Sequence, residues 1–135
     1  MTHEFITQWW SIQVADGWLS EQEDECANFW REDGAGALQI SAHSHDSGSI
    51  PAEDLEDFTK DEFPDDAALK SLRCGQFLGV GVDYIADGKF WRKRWVHEGP
   101  LLLFVTYNSD ADDRVVEMEA VNEMLATLKP TPDAA

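Results

Sequence analysis

The stretch Asp87-Gly88-Lys89-Phe90-Trp91-Arg92-Lys93-Arg94-Trp95-Val96-His97-Glu98-Gly99-Pro100, continued by Leu101-Leu102-Leu103-Phe104-Val105-Thr106-Tyr107-Asn108, decides the fold class of this chain. Asp87-Gly88 is a tight-hairpin signal, because a two-residue type I′ turn needs positive φ at both central positions. The aromatic and apolar residues that follow predict a strand over Lys89–His97. Glu98-Gly99-Pro100 turns the chain, and Leu101–Asn108 returns antiparallel. Leu101 to Val105 is apolar without alternation, which predicts a central strand covered on both faces. Upstream, Phe77–Ile85 is the partner across the Asp87-Gly88 turn. Gly79 and Gly81 within it mark a bulge, a bend, or something packing closely over the strand.

Further out, Trp10, Ile12 and Val14 alternate with Trp9, Ser11 and Gln13, predicting a first strand over Gln8–Val14. Asp16-Gly17 turns into a short apolar stub, Trp18-Leu19, and an acidic loop follows at Glu21–Glu25. Cys26–Arg31 and Ala37–Ala42 read as a hairpin joined through Glu32-Asp33-Gly34. Ala42 to Ser49 is a polar loop, and Pro51 then opens a helix with Ser49 or a neighbour as cap. Leu55, Phe58 and Phe63 lie near one face of that helix, acids crowd the rest, and Pro64 ends it. A strand-rich region begins at Leu72. A last amphipathic helix runs from Asp110 or Asp112 to Leu128, with Val121, Met124, Leu125 and Leu128 at helical spacing. The order predicts an α+β fold: a single antiparallel β-sheet of about six or seven strands with two helices packed on it. One domain is expected over residues 1–129, with a frayed tail at 130–135 after the helix-stopping Pro130.

Composition narrows the function classes. The 135 residues are 43% hydrophobic and 11% aromatic, ample for one packed core. Twenty-seven acids against ten bases give a net charge of −17. Such a surface repels phosphate backbones and anionic lipid, so neither nucleic acid nor a membrane is an expected partner. No apolar run approaches the ~20 residues of a membrane span. The N-terminus lacks the basic start and apolar stretch of a secretory signal, and a cytoplasmic location is the expectation. Cys26 and Cys74 fit that compartment as free thiols.

Two constellations stand out. Lys89, Arg92, Lys93 and Arg94 are four of the ten bases, interleaved with Phe90, Trp91 and Trp95. By strand parity Trp91, Lys93 and Trp95 share one side, and Phe90, Arg92, Arg94 and Val96 the other. Either these bases pair with the chain's own acidic helix or loops, or they line a ligand or partner groove with Trp91, Arg92, Arg94, Trp95 and Tyr107. His43 and His45, with Asp46 beside them, are weak metal candidates, since a structural zinc site needs four ligands. No P-loop, G-x-S-x-G or H-E-x-x-H motif is present, and no cofactor is expected. Asp110-Ala111-Asp112-Asp113 reads as a helix N-cap cluster, because the glycine and distal glutamate of a calcium loop are missing.

Several of these stretches together resemble a known group. The tryptophan-rich first strand, Asp16-Gly17-Trp18, Gly36–Ser41 (GALQIS), the proline-capped Ala52–Phe58 (AEDLEDF) and Asp87–Asn108 are similar to small bacterial proteins with a PsbP/Mog1-like fold. The resemblance follows the element order over nearly the whole chain and implies an α/β/α sandwich. Many members of that fold bind other proteins, photosystem accessory and Ran-binding proteins among them; no site residue carries over. The functional expectation is a non-enzymatic protein-interaction module, immunity-like or accessory, that meets a basic protein partner. It would act as a monomer or homodimer. The alternative is a small-molecule-binding or enzymatic protein with its groove near Trp91, Arg92, Arg94 and Tyr107.

Overall fold

A computed structural model describes residues 3–7, 9–23, 26–32, 34, 36–44, 69–98, 101–113 and 115–130, with backbone alone at His43 and Ser44. Among the described residues there are ten strands: β1 (His3–Ile6), β2 (Trp10–Val14), β3 (Trp18–Glu23), β4 (Cys26–Arg31), β5 (Gly36–Ser44), β6 (Lys70–Cys74), β7 (Phe77–Ala86), β8 (Lys89–Glu98), β9 (Leu101–Asp110) and β10 (Lys129–Pro130). A 3-10 turn at Ala111–Asp113 and one helix, α1 (Met118–Leu125), lie between β9 and β10.

The hairpin signal at Asp87-Gly88 is realised: their φ values are 54° and 79°, and β7 pairs β8 with Ala86 opposite Lys89. Seven strands join antiparallel in the order β3-β4-β5-β9-β8-β7-β6. The apolar strand β9 is the middle of the seven, as its unbroken run requires.

The expected single sheet is corrected to two. A second sheet, in the order β1-β2-β10, is separate from the first. The reason lies in β2, whose two edges are both taken: His3–Ile6 pairs one, and Lys129 and Pro130 pair Ser11 and Trp10 on the other. No edge remains by which β2 could join the large sheet. Phe5, Trp10 and Phe29 meet edge to face or tilted, at centroid distances of 5.1 to 6.5 Å, and bring the two sheets into contact. α1 adds Val121, Met124 and Leu125 to the same core. One face of the large sheet is therefore covered by the small sheet and α1 together. It presents Phe29, Leu38, Ile40, Phe90, Val96, Leu103, Val105 and Tyr107. The opposite face carries a smaller cluster of Val82, Trp95 and Leu102, with Tyr84 and Phe104 partly buried beside it.

Other boundaries also move. Glu21–Glu23, expected in a loop, belong to the edge strand β3, whose last five residues are exposed; an edge tolerates charge because one side faces water. β5 runs past Ala42 to Ser44, paired to Leu101. The last helix starts at Met118, because β9 continues to Asp110, held there by Lys89 Nζ donating to Asp110 Oδ1 at 2.7 Å. Exposed, β-branched Val115 and Val116 then fall in a turn. Pro130, expected in the tail, ends β10. The helix expected after Pro51 and the metal candidates His45 and Asp46 lie outside the described residues. Cys26 and Cys74 are free, and they sit on strands five positions apart, roughly 24 Å at the usual strand spacing. No described helix is long and apolar enough to cross a membrane.

Candidate functional site

On the face that carries α1, the large sheet is not uniformly apolar. Arg92 and Arg94, two residues apart on β8, point to the same side as Asp83 and Gly81 on β7, which stand opposite them in the register. Arg92 is buried and donates Nε and Nη2 to the two carboxylate oxygens of Asp83 at 3.2 and 3.0 Å. Its Nη1 donates to Asn122 Oδ1 on α1. Arg94 Nη1 donates to Asp83 Oδ1 at 2.8 Å, and to the carbonyls of Lys93 and Val82 at 3.1 and 3.4 Å. One carboxylate thus serves two guanidinium groups whose side chains are 10% and 12% exposed. Burial alone would raise the Asp83 pKa, but hydrogen bonds from Arg92 and Arg94 outweigh it and hold the carboxyl below its ordinary value.

Gly81 is what lets Arg94 lie flat. A Cβ there would stand 2.5 Å from Arg94 Cδ and 2.6 Å from Leu72 Cδ2. The close packing expected over β7 is therefore the chain's own arginine at Gly81, whereas a Cβ on Gly79 would meet the backbone of Trp95 and Val96 on β8. Beside this network an open groove of about 250 Å³ runs between β6, β8 and α1, lined by Leu72, Arg73, Cys74, Arg92, Arg94, Asn122, Leu125 and Ala126. Burial raises the Cys74 thiol pKa, with Arg94 and Arg92 opposing that rise in part.

A second polar cluster lies deeper on the same face. Glu117, at the N-terminal boundary of α1, is 1% exposed. Its Oε1 accepts from Tyr107 Oη at 2.8 Å and from the Gly36 backbone N–H at 2.9 Å, and Oε2 lies 3.9 Å from Arg31 Nε. The Tyr107 pKa is pushed well above its ordinary value, first by burial and then by the Glu117 carboxylate.

The five residues expected to share a groove are divided by strand alternation. Arg92 and Arg94 line it. Tyr107 is on their face, opposite Arg92, but its hydroxyl is committed to Glu117. Trp91 and Trp95 project to the other side of the sheet, where Trp95 stacks on Phe104 at 5.3 Å and Lys93 sits 5.5 Å from the rings of both Trp91 and Tyr84. The arginines do pair internally, as one of the two readings holds, but with a carboxylate on the neighbouring strand. Arg73, Cys74, Asp83 and Asn122 carry no local signal of their own. His43 lies on β5 opposite Leu102, and among the described residues no group of three or more His, Cys, Asp or Glu could hold a metal ion.

The architecture is PsbP-like. Solved structures that share it include a Bacteroides thetaiotaomicron protein, at 16% identity and TM-score 0.71 over 98% of this chain; this chain spans about half (49%) of its length. LpqN, involved in cell envelope biogenesis of Mycobacterium tuberculosis, matches at 16% identity and TM-score 0.64 over 91% of this chain and 83% of its own. The cyanobacterial PsbP (CyanoP) of Synechocystis sp. PCC 6803 matches at 9% identity and TM-score 0.64, over 97% and 92% of the two chains. No sequence-family model matches the chain, and no curated protein does.

Proposed function

We propose that the chain is a non-catalytic binding module that recognises a partner protein. The observation that carries this is the direction in which the shifted titratable groups among the described residues move. Asp83 is held ionised, while Tyr107 and Cys74 are held protonated. An acid–base catalyst needs a pKa near its working pH, and a cysteine nucleophile needs its thiolate. These groups are displaced the opposite way, as suits residues that fix shape and charge. The partner's chemistry follows from the exposed, acid-bearing edge strand β3, with Glu21 and Glu23, on a chain of net charge −17. A basic protein surface is complementary to it.

Two measurements test this proposal. Generic ester, phosphate-ester and glycoside substrates near neutral pH should turn over no faster than in buffer; turnover that Arg94→Gln abolishes would defeat it. Affinity capture with the wild type should retain a basic protein at low salt, and Glu21→Lys/Glu23→Lys should release it. Equal retention by both proteins would remove β3 as the recognition surface.

A further inference from the structure

We propose that the groove between β6, β8 and α1 is a binding site for a small organic carboxylate with a short apolar tail. The charge balance is the first reason. Two guanidinium groups, from Arg92 and Arg94, form one wall of the groove, and Asp83 is the one carboxylate bonded to them among the described residues. The niche is positive on a chain whose net charge is −17. The low-dielectric walls around Arg92 and Arg94 strengthen that field, because neither side chain is more than about an eighth exposed.

Donor geometry is the second reason. Arg94 uses only Nη1 within the described structure, so its Nε and Nη2 are available. Asn122 turns its oxygen to Arg92, which leaves its NH₂ group as donor. A guanidinium edge with a neighbouring amide suits a planar carboxylate, whose two oxygens accept parallel hydrogen bonds. Gly81 keeps the floor clear beneath Arg94. The third reason is the apolar remainder of the wall, Leu72, Leu125 and Ala126, which a bare inorganic ion would leave in contact with water.

The site stands independently of the protein partner proposed above. Hexanoate, acetate, inorganic phosphate and sodium chloride are titrated into the full chain at constant ionic strength, with backbone and arginine Nε resonances followed by NMR. Hexanoate should saturate, with a Kd on the order of 1 mM, moving Arg94 and Leu125 together. Acetate should bind roughly tenfold more weakly, by the loss of its tail contacts. Arg94→Gln should weaken hexanoate at least about tenfold. Should that variant unfold, Asn122→Ala on α1, which removes the amide donor, should weaken it roughly threefold. Phosphate binding as tightly as hexanoate would overturn the assignment, as would shifts that chloride reproduces or affinity unchanged in both variants.

Discussion

The two polar clusters on the helix-covered face of the sheet differ in how they meet water. At Glu117 one carboxylate is sealed in: its Oε1 accepts from Tyr107 Oη and Gly36 N–H, while its Oε2 makes no hydrogen bond among the described residues and faces Arg31 Nε at 3.9 Å. At Asp83 one carboxylate is shared by two arginines at the wall of an open groove, and 38% of its side chain remains exposed. The first cluster has fewer formal charges and the second has more. Burial decides their weight, because a polar group pays its full desolvation penalty only where water cannot replace a lost partner. The dry cluster is therefore the structural one, and the wet cluster is free to serve recognition.

The largest expected effect is at Glu117. Glu117→Ala leaves Tyr107 Oη and Gly36 N–H without their acceptor and should cost about 3–4 kcal/mol in urea unfolding. A loss below about 1 kcal/mol would break the contrast. Tyr107→Phe should cost about 2 kcal/mol, the worth of one hydrogen bond to a buried charge. It should also flatten the alkaline limb. A tyrosine pKa raised by folding gives stability that is present below its unfolded value, near 10, and lost as pH rises above it.

At the groove, Asp83→Asn should cost about 1.5 kcal/mol, less than a sealed ion pair would, because water already reaches its carboxylate. Its signature is in acid. The folded pKa lies below the unfolded value near 3.9, so the stabilisation is present above that pH and disappears as pH falls through the folded value. The acid limb of the stability curve should be shallower in Asp83→Asn, and an unchanged limb would remove the arginine pair as its cause. Smallest is Gly81→Ala, at about 1 kcal/mol, since the added methyl displaces Arg94 and Leu72 side chains and no backbone. It should also weaken hexanoate binding measurably, which would tie the glycine to the groove.

Much of the large sheet is written locally. The Asp87-Gly88 turn, the alternation of β8 and the continuous apolar run of β9 each require only neighbouring residues to be read, and they set strand pairing and faces. The same alternation separates Trp91 and Trp95 from Arg92 and Arg94, so the five-residue groove contradicted a parity visible in the chain itself. Gly81 was legible as a close approach, though not what approaches. Asp83 was not legible, because among 27 acids no spacing singles out the one opposite Arg92. Arg73 and Asn122 reach the groove from an edge strand and a helix, and only the tertiary fold brings them together. β1 and β10 were hidden for a related reason. Each is short and acquires strand character from pairing with β2, and Pro130 is compatible with a strand because β10 is an edge.

The small sheet is closed by residues that lie far apart in the chain. The Gln13 N–H donates to Thr127 Oγ1 across 114 residues, and β10 closes on β2 over a similar separation. During synthesis, β2 leaves the ribosome long before the segment that completes its sheet. Until then Trp10, Ile12 and Val14, all fully buried in the finished protein, have no permanent cover. Loops of this length close slowly, and apolar strands waiting on them are where nascent chains associate wrongly. Thr127 and the two residues of β10 thus complete the small sheet last during synthesis, and a chain released before Lys129 should be captured by holdase chaperones while the full chain escapes them.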